Sequence, residues 1–322
     1  MIRQLAGALV LVACGGGSKA VPVGSQLGPA LTAALAAADQ VRAPWRCAAP
    51  DGPHAADTTI AVGTHTWKLA GHTLAREGKA SELVIGAIAD AGGSAPETLG
   101  AIGRLRTKLA RADLVLVLGG MGTTQAELEG TLGVLGDRST FLIVALPGDL
   151  EAVPALTAAT TSLRARGVHL LDGRLIHRIE VPGVSIAAIG GAGARGRLVA
   201  ADDGCAYRES DVSAALIALT ARPGIRIVAS AEAPRSVRDG EAIGELALTA
   251  GAGHEIDVAL HGPLGPGASR SRTGSRTGDA ESLTPGTVDA TPRLPGPATA
   301  PTAGLLTVSG HSWTWKPITD SE

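Results

Sequence analysis

The chain of 322 residues contains no asparagine and few aromatic residues: four Trp, one Tyr and one Phe. Aromatics make up 2% of the residues, too few for a platform that stacks single-stranded nucleic acid. A basic surplus is also missing. Lys and Arg number 28 against 30 Asp and Glu, a formal net charge of -2, which argues against a general nucleic-acid binder. No apolar run approaches the roughly 20 residues that a membrane-spanning helix requires. There are only three cysteines, Cys14, Cys47 and Cys205.

What is present starts with an export pattern. Met1-Ile2-Arg3 is a short basic start, and Leu5 to Val12 is an apolar stretch of signal-peptide length. Leu11-Val12-Ala13-Cys14 follows and resembles a bacterial lipobox, in which the cysteine is acylated and becomes the new N-terminus. The expectation is a leader over 1–14, a tether and arm over 15–57, and a domain over 58–322. An exported chain anchored to the cell envelope through lipid on Cys14 follows, since more than one acyl chain anchors stably. Cys47 and Cys205 are then either free thiols or a disulfide. Oxidising surroundings make the disulfide the expectation.

From Leu83 onward the hydrophobic pattern becomes regular. Apolar runs at Leu83–Ala89, Asp113–Leu118, Phe141–Leu146 and Val168–Leu171 read as buried strands. Between them, Pro96–Arg111, a segment opened by the capping box Thr124-Gln125-Ala126-Glu127, and Glu151–Arg166 read as helices. Alternation of this kind implies a mainly parallel sheet. Thr58–Leu74 reads as a hairpin, as does 175–189 around Pro182-Gly183. Further on, Asp211–Ala221 and Ala242–Ala250 read as helices, and Ile225–Ser230 and Asp257–Leu260 as strands. Residues 263–304 are rich in Gly, Pro, Ser and Thr without periodicity, so a disordered insertion is expected. Leu305–Ser309 and Ser312–Lys316 close the chain as strands, with Trp313 and Trp315 on one face. Leu27–Val41 could form a helix.

Ligands of open α/β sheets sit beyond the carboxyl ends of the strands. The residues there are Asp90-Ala91-Gly92, Gly119-Gly120, Gly148-Asp149-Leu150-Glu151, Ala231-Glu232-Ala233-Pro234 and His261-Gly262-Pro263-Leu264-Gly265. Their order resembles the calcineurin-like metallophosphoesterase family over Leu83 to Pro317. That resemblance implies a fold class of two packed mixed β-sheets flanked by helices. It sets Asp90-Ala91-Gly92 against the family's Asp-x-His, Gly119-Gly120 against Gly-Asp, and Gly148-Asp149-Leu150-Glu151 against Gly-Asn-His-Asp/Glu. Ala231 stands where a lone His is expected, and Gly262-Pro263-Leu264-Gly265 where Gly-His-x-His is.

Such enzymes hold two metal ions that clamp a phosphoryl group and activate water. Here Gly92, Ala231, Pro263 and Gly265 replace the four ligand imidazoles, and Gly120 replaces the bridging carboxylate. Leu150 replaces the proton-donating His, and Asp149 the Asn. A chain without asparagine cannot restore that ligand by a shifted alignment. Asp90 alone keeps its family role. Asp90 and Asp149 are weak candidates for a hard cation, and as lone residues they read more simply as helix caps. Glu151 reads as a first-turn helix residue, Glu232 as a loop carboxylate and His261 as structural. The expectation is therefore a domain without the two-metal centre, non-catalytic, that binds a protein or small-molecule partner. Two alternatives stand beside it. One is a phosphoesterase with a non-standard site near Asp90, Asp149, Glu151 and His261. The other is an anion site on backbone N–H groups of Gly119, Gly120, Gly122 and Thr123. Gly191-Ala192-Gly193-Ala194-Arg195-Gly196 matches a dinucleotide fingerprint in spacing, yet no helix is signalled after it and no acid lies about 20 residues on.

Overall fold

The computed structural model describes residues 45–78, 82–193, 198–238, 241–243, 246, 248, 256–263, 275–277, 280–288 and 300–320. They belong to the compact unit Ala43–Glu322. Cys14, the Leu27–Val41 segment and Gly265 lie outside the described residues.

Two sheets carry the fold. The six-stranded sheet contains β4 (Glu82–Ile88), β5 (Leu114–Leu118), β6 (Leu142–Leu146) and β7 (Leu170–Asp172), all parallel. Helices α1 (Pro96–Lys108), α2 (Gln125–Gly136) and α3 (Val153–Ala165) connect them. Crossovers of this length are what parallel pairing demands. β16 (Thr302–Ser309) joins β4 antiparallel, and β17 (Ser312–Thr319) pairs with β16, giving the order β17-β16-β4-β5-β6-β7. The second sheet has nine strands. It begins with a meander of β1 (Thr58–Val62), β2 (His65–Ala70) and β3 (Thr73–Arg76). It continues through β8 (Arg178–Val181), β9 (Val184–Ile189), β10 (Ile225–Ser230) and β13 (Val258–His261), and α4 (Glu209–Thr220) links β9 to β10. β15 (Ala280–Leu283) and β14 (Ser275–Thr277) complete its far edge.

Period-two alternation sorts the strand residues into layers. Leu114, Leu116 and Leu118 of β5 meet Ile186, Ile227 and Leu260 of the other sheet in a central core. Val115 and Val117 face outward and are covered by Ile102, Leu105, Leu128 and Leu156 of the three helices. On the far side Val228 and Ala259 pack under Val212, Leu216 and Leu219 of α4. The layers therefore run helix, sheet, sheet, helix. Because the inner strands are covered on both faces, their sequences are continuous apolar runs.

Several expectations are corrected. The expected hairpin at Thr58–Leu74 is a three-stranded meander. No helix forms at 242–243. Glu241–Ile243 is the strand β12, antiparallel to β11 (Ser236–Arg238), and Leu246 bridges Pro234. Pairing to a neighbour overrides weak helical spacing here. The insertion at 263–304 is not structureless in its described parts. β15 pairs in parallel with β13 and satisfies the hydrogen-bonding edge that β13 would otherwise leave bare. Leu283, Val288 and Ala303 are buried. Trp313 and Trp315 are half-buried against the central core. Among the described residues no helix is long and apolar enough to cross a membrane.

Candidate functional site

The five strand tips singled out in the sequence meet at one edge, where the two sheets converge. A Cβ placed on Gly119 would lie 2.9 Å from the Ala231 Cβ and 3.0 Å from the Gly148 Cα. One on Gly120 would lie 2.6 Å from the Asp90 Cα, and one on Gly262 only 2.2 Å from the Ala231 carbonyl oxygen. Real side chains do not approach this closely, so glycine at these positions is a condition of the packing. Gly119 and Gly120 also hold φ of 71° and 69°, in the left-handed region. The tips are joined by backbone bonds: Asp90 N donates to Gly119 O at 3.1 Å, Gly119 N to Leu146 O at 3.0 Å, and Gly262 N to Ser230 O at 3.1 Å.

Glu151 lies at the centre of this edge and is fully buried. Its helix, α3, begins only at Val153 with Ala152 as N-cap, so Glu151 is not the first-turn residue expected. Its carboxylate instead accepts from Met121 N at 2.5 Å and from Gly148 N at 2.7 Å, clamping the tip of β5 to the tip of β6. Burial raises its pKa above the ordinary carboxylate range, against the pull of those backbone donors.

Asp90 and Asp149 are half-buried, and neither caps a helix. The N-cap of α1 is Ala95, and neither α1 nor α3 has a side-chain cap. Asp90 adopts a φ of 48°. Leu150, Ala231 and Pro263 are half-buried, and Gly92 is buried. His261 is buried beside β15. Its Nδ1 contacts Gly262 O at 2.6 Å, and a carbonyl only accepts, so Nδ1 carries the proton. Nε2, 2.6 Å from Ser282 Oγ, is then an acceptor. Burial pushes its pKa down to about 4, consistent with this neutral form. Glu232 is not a bare loop carboxylate. It accepts from Gly193 N at 3.0 Å and from the Tyr207 hydroxyl. Nothing in the spacing of Tyr207 signalled that partnership.

Two of the four donors expected at the glycine turn, Gly119 N and Thr123 N, are engaged within the chain. Besides Gly119 N and Met121 N, Thr123 N donates to Glu127 Oε2 at 2.7 Å and Thr124 N to the same oxygen at 3.1 Å. These bonds also hold the Glu127 carboxyl below its ordinary range. A dinucleotide loop at Gly191–Gly196 has no support from Gly191. A Cβ there would meet Cys205 O at 2.6 Å, and residues 194–197 lie outside those described.

A pair of transition-metal ions needs several imidazoles and carboxylates converging on one point. Among the described residues no group of three or more His, Cys, Asp or Glu side chains has that arrangement. The donor set of Asp90 and Asp149 does not fit such a pair, and Gly120, which lies against the Asp90 backbone, adds no side chain to it. Cys47 and Cys205 are joined by a disulfide, with Cα atoms 5.5 Å apart.

No family model matches the sequence, and no curated protein matches it. Solved structures do match. One crystal structure has a TM-score of 0.50 at 13% identity, covering 73% of this chain and 98% of its own. TT1561 of Thermus thermophilus has a TM-score of 0.48 at 13% identity, with coverage of 74% and 99%. Purple acid phosphatase PPD1 from yellow lupin seeds has a TM-score of 0.48 at 12% identity, with coverage of 80% and 57%. Likeness at these identities is one of fold. The two packed mixed sheets flanked by helices form the sandwich that the calcineurin-like metallophosphoesterase resemblance implied.

Proposed function

We propose that the protein is a membrane-anchored lipoprotein whose metallophosphoesterase-like domain is non-catalytic and acts as a binding module. One observation carries the reading: a Cβ at Gly120 would sit 2.6 Å from the Asp90 Cα, so a side chain at the position that the resemblance assigns to the bridging carboxylate would collide with the backbone. A two-metal mechanism requires that bridge. The phosphoesterase alternative relies on Asp90, Asp149, Glu151 and His261. Glu151 is committed to two backbone donors, and His261 to Gly262 and Ser282. The anion-binding alternative loses Thr123 N to Glu127 and Gly119 N to the Leu146 carbonyl.

Elemental analysis of protein purified without chelator tests the non-catalytic reading, together with hydrolysis of a generic phosphodiester. The expected result is no stoichiometric Mn, Fe or Zn and no hydrolysis. Two metals per chain and an activity abolished by Asp90→Ala would overturn it. Lipid attachment is tested separately: Cys14→Ser is expected to move the protein from the detergent to the aqueous phase. Retained partitioning would contradict the anchor.

A further inference from the structure

We infer that the Cys47–Cys205 disulfide is the latch of a strap beside the glycine-packed edge, and that a dithiol reductant loosens this strap while leaving both sheets intact. The strap is the segment 198–207. On one side it lies along the run that follows β6. Val199 N donates to Asp149 O at 2.8 Å, and Gly204 forms a bridge with Ala152. That run carries Leu150 and the Glu151 clamp, so the strap backs the residues that tie β5 to β6. Ala192 N donates to Cys205 O at 3.0 Å, and Gly191 N to Pro147 O at 2.7 Å, extending the contact to the loop after β9.

On its other side the strap meets the N-terminal arm. Cys205 is bonded to Cys47, and Ala206 N donates to Trp45 O at 3.0 Å. The arm in turn is tied to the body. Arg46 pairs with Asp211 at 2.5 Å, the Arg174 guanidinium lies 5.7 Å from the centre of the Trp45 ring, and His177 Nε2 contacts Cys47 O at 2.9 Å.

At its end the strap is anchored by Tyr207, which is buried in the core under α4, is bonded to Glu232 and donates its N–H to Ala192 O at 3.1 Å; ahead of that anchor its middle is exposed. Ala201–Asp203 is a single exposed 3-10 turn, and Val199 is 61% exposed. Among the described residues Cys47 and Cys205 cluster with Val153 and Trp45, apart from the three larger hydrophobic cores. Segments with few buried apolar contacts open locally at low free-energy cost. The disulfide is therefore the covalent tie between this exposed stretch and the arm.

Reduction balances as ordinary thiol–disulfide exchange. A thiolate of the dithiol attacks the Cys47 sulfur, the more exposed of the two, and the reductant's second thiol resolves the mixed disulfide. Two electrons and two protons end on Cys47 and Cys205, and the dithiol leaves as its own disulfide. The inference does not depend on the proposed function, because neither metal nor partner enters it.

Amide hydrogen exchange on the full chain tests it, comparing oxidised protein, protein reduced with dithiothreitol, and the Cys47→Ala/Cys205→Ala variant. Exchange is expected to accelerate by about ten-fold or more at Ala192, Val199 and Ala206 in the last two samples, with β5 and β6 unchanged. Unchanged exchange at these three amides would overturn the inference. So would acceleration throughout both sheets, or loss of the circular dichroism signal. Either of those would make the disulfide a staple of the core.

Discussion

The two ends of β5 tie the sheets together by opposite means. At its start Asp113 receives Arg76 Nη1 at 2.9 Å and lies 2.7 Å from His65 Nε2, and it also accepts from Val84 N at 2.9 Å. Arg76 belongs to the nine-stranded sheet and reaches the Glu82 carbonyl as well, at 2.8 Å. A buried charge network thus spans the gap between the sheets. At the far end of the same strand the contacts at Gly119 are of another kind. Gly119 meets Ala231 and Gly148, and Gly262 lies against Ala231 and Leu118, through backbone and methyl contacts. The fold tolerates either solution. What distinguishes them is chemistry: charged side chains join the sheets at one end, and glycine and alanine do so at the other.

Breaking the charged end should have the largest effect. Arg76→Ala leaves Asp113 with one partner fewer in a buried setting and is expected to cost about 3 kcal/mol in urea unfolding. The glycine end is sharpened by Gly120→Ala, which must place a methyl group against Asp90 at a positive φ. A loss of about 2 kcal/mol is expected. A neutral Gly120→Ala would show that the tips are not in contact.

pH provides a third contrast. Burial holds the pKa of His261 at about 4, and burial together with neighbouring His72 does the same for His177. Unfolding returns both to about 6.5. Their contribution to stability is thus complete above pH 6.5 and is lost as pH falls through about 4. For His261 alone this is on the order of 2 kcal/mol. Glu151 opposes the trend. Its raised pKa means that its buried charge destabilises most at neutral pH and is relieved as pH falls. Denaturant midpoints from pH 7 to 4 should fall in the wild type, and fall less in His261→Gln. The smallest effect is expected for Glu151→Gln. The amide keeps one acceptor but turns a donor toward Met121 N or Gly148 N, at a cost of about 1 kcal/mol at pH 7.

Much of this comparison was legible in the sequence, for a physical reason. Strands covered on both faces must be continuous apolar runs, so Leu114–Leu118 and Leu142–Leu146 announce both themselves and the places where they end. The capping box was equally plain: Thr124 Oγ1 accepts from Glu127 N at 3.3 Å. Glu151 was harder to place. Its partner Met121 is 30 residues away in sequence, and nothing local distinguishes a clamp from a first-turn acid. β14 and β15 were missed because three- and four-residue strands in Ser- and Gly-rich sequence carry no readable period. Their order comes from the edge of β13. The strap was visible only as a pair of cysteines 158 residues apart.

Anomalous diffraction from crystals grown with Mn²⁺ or Zn²⁺ bears most directly on the glycine-packed edge. No paired peaks are expected among Asp90, Gly120, Asp149 and Ala231. Two full-occupancy ions about 3.5–4 Å apart at that position would contradict the account.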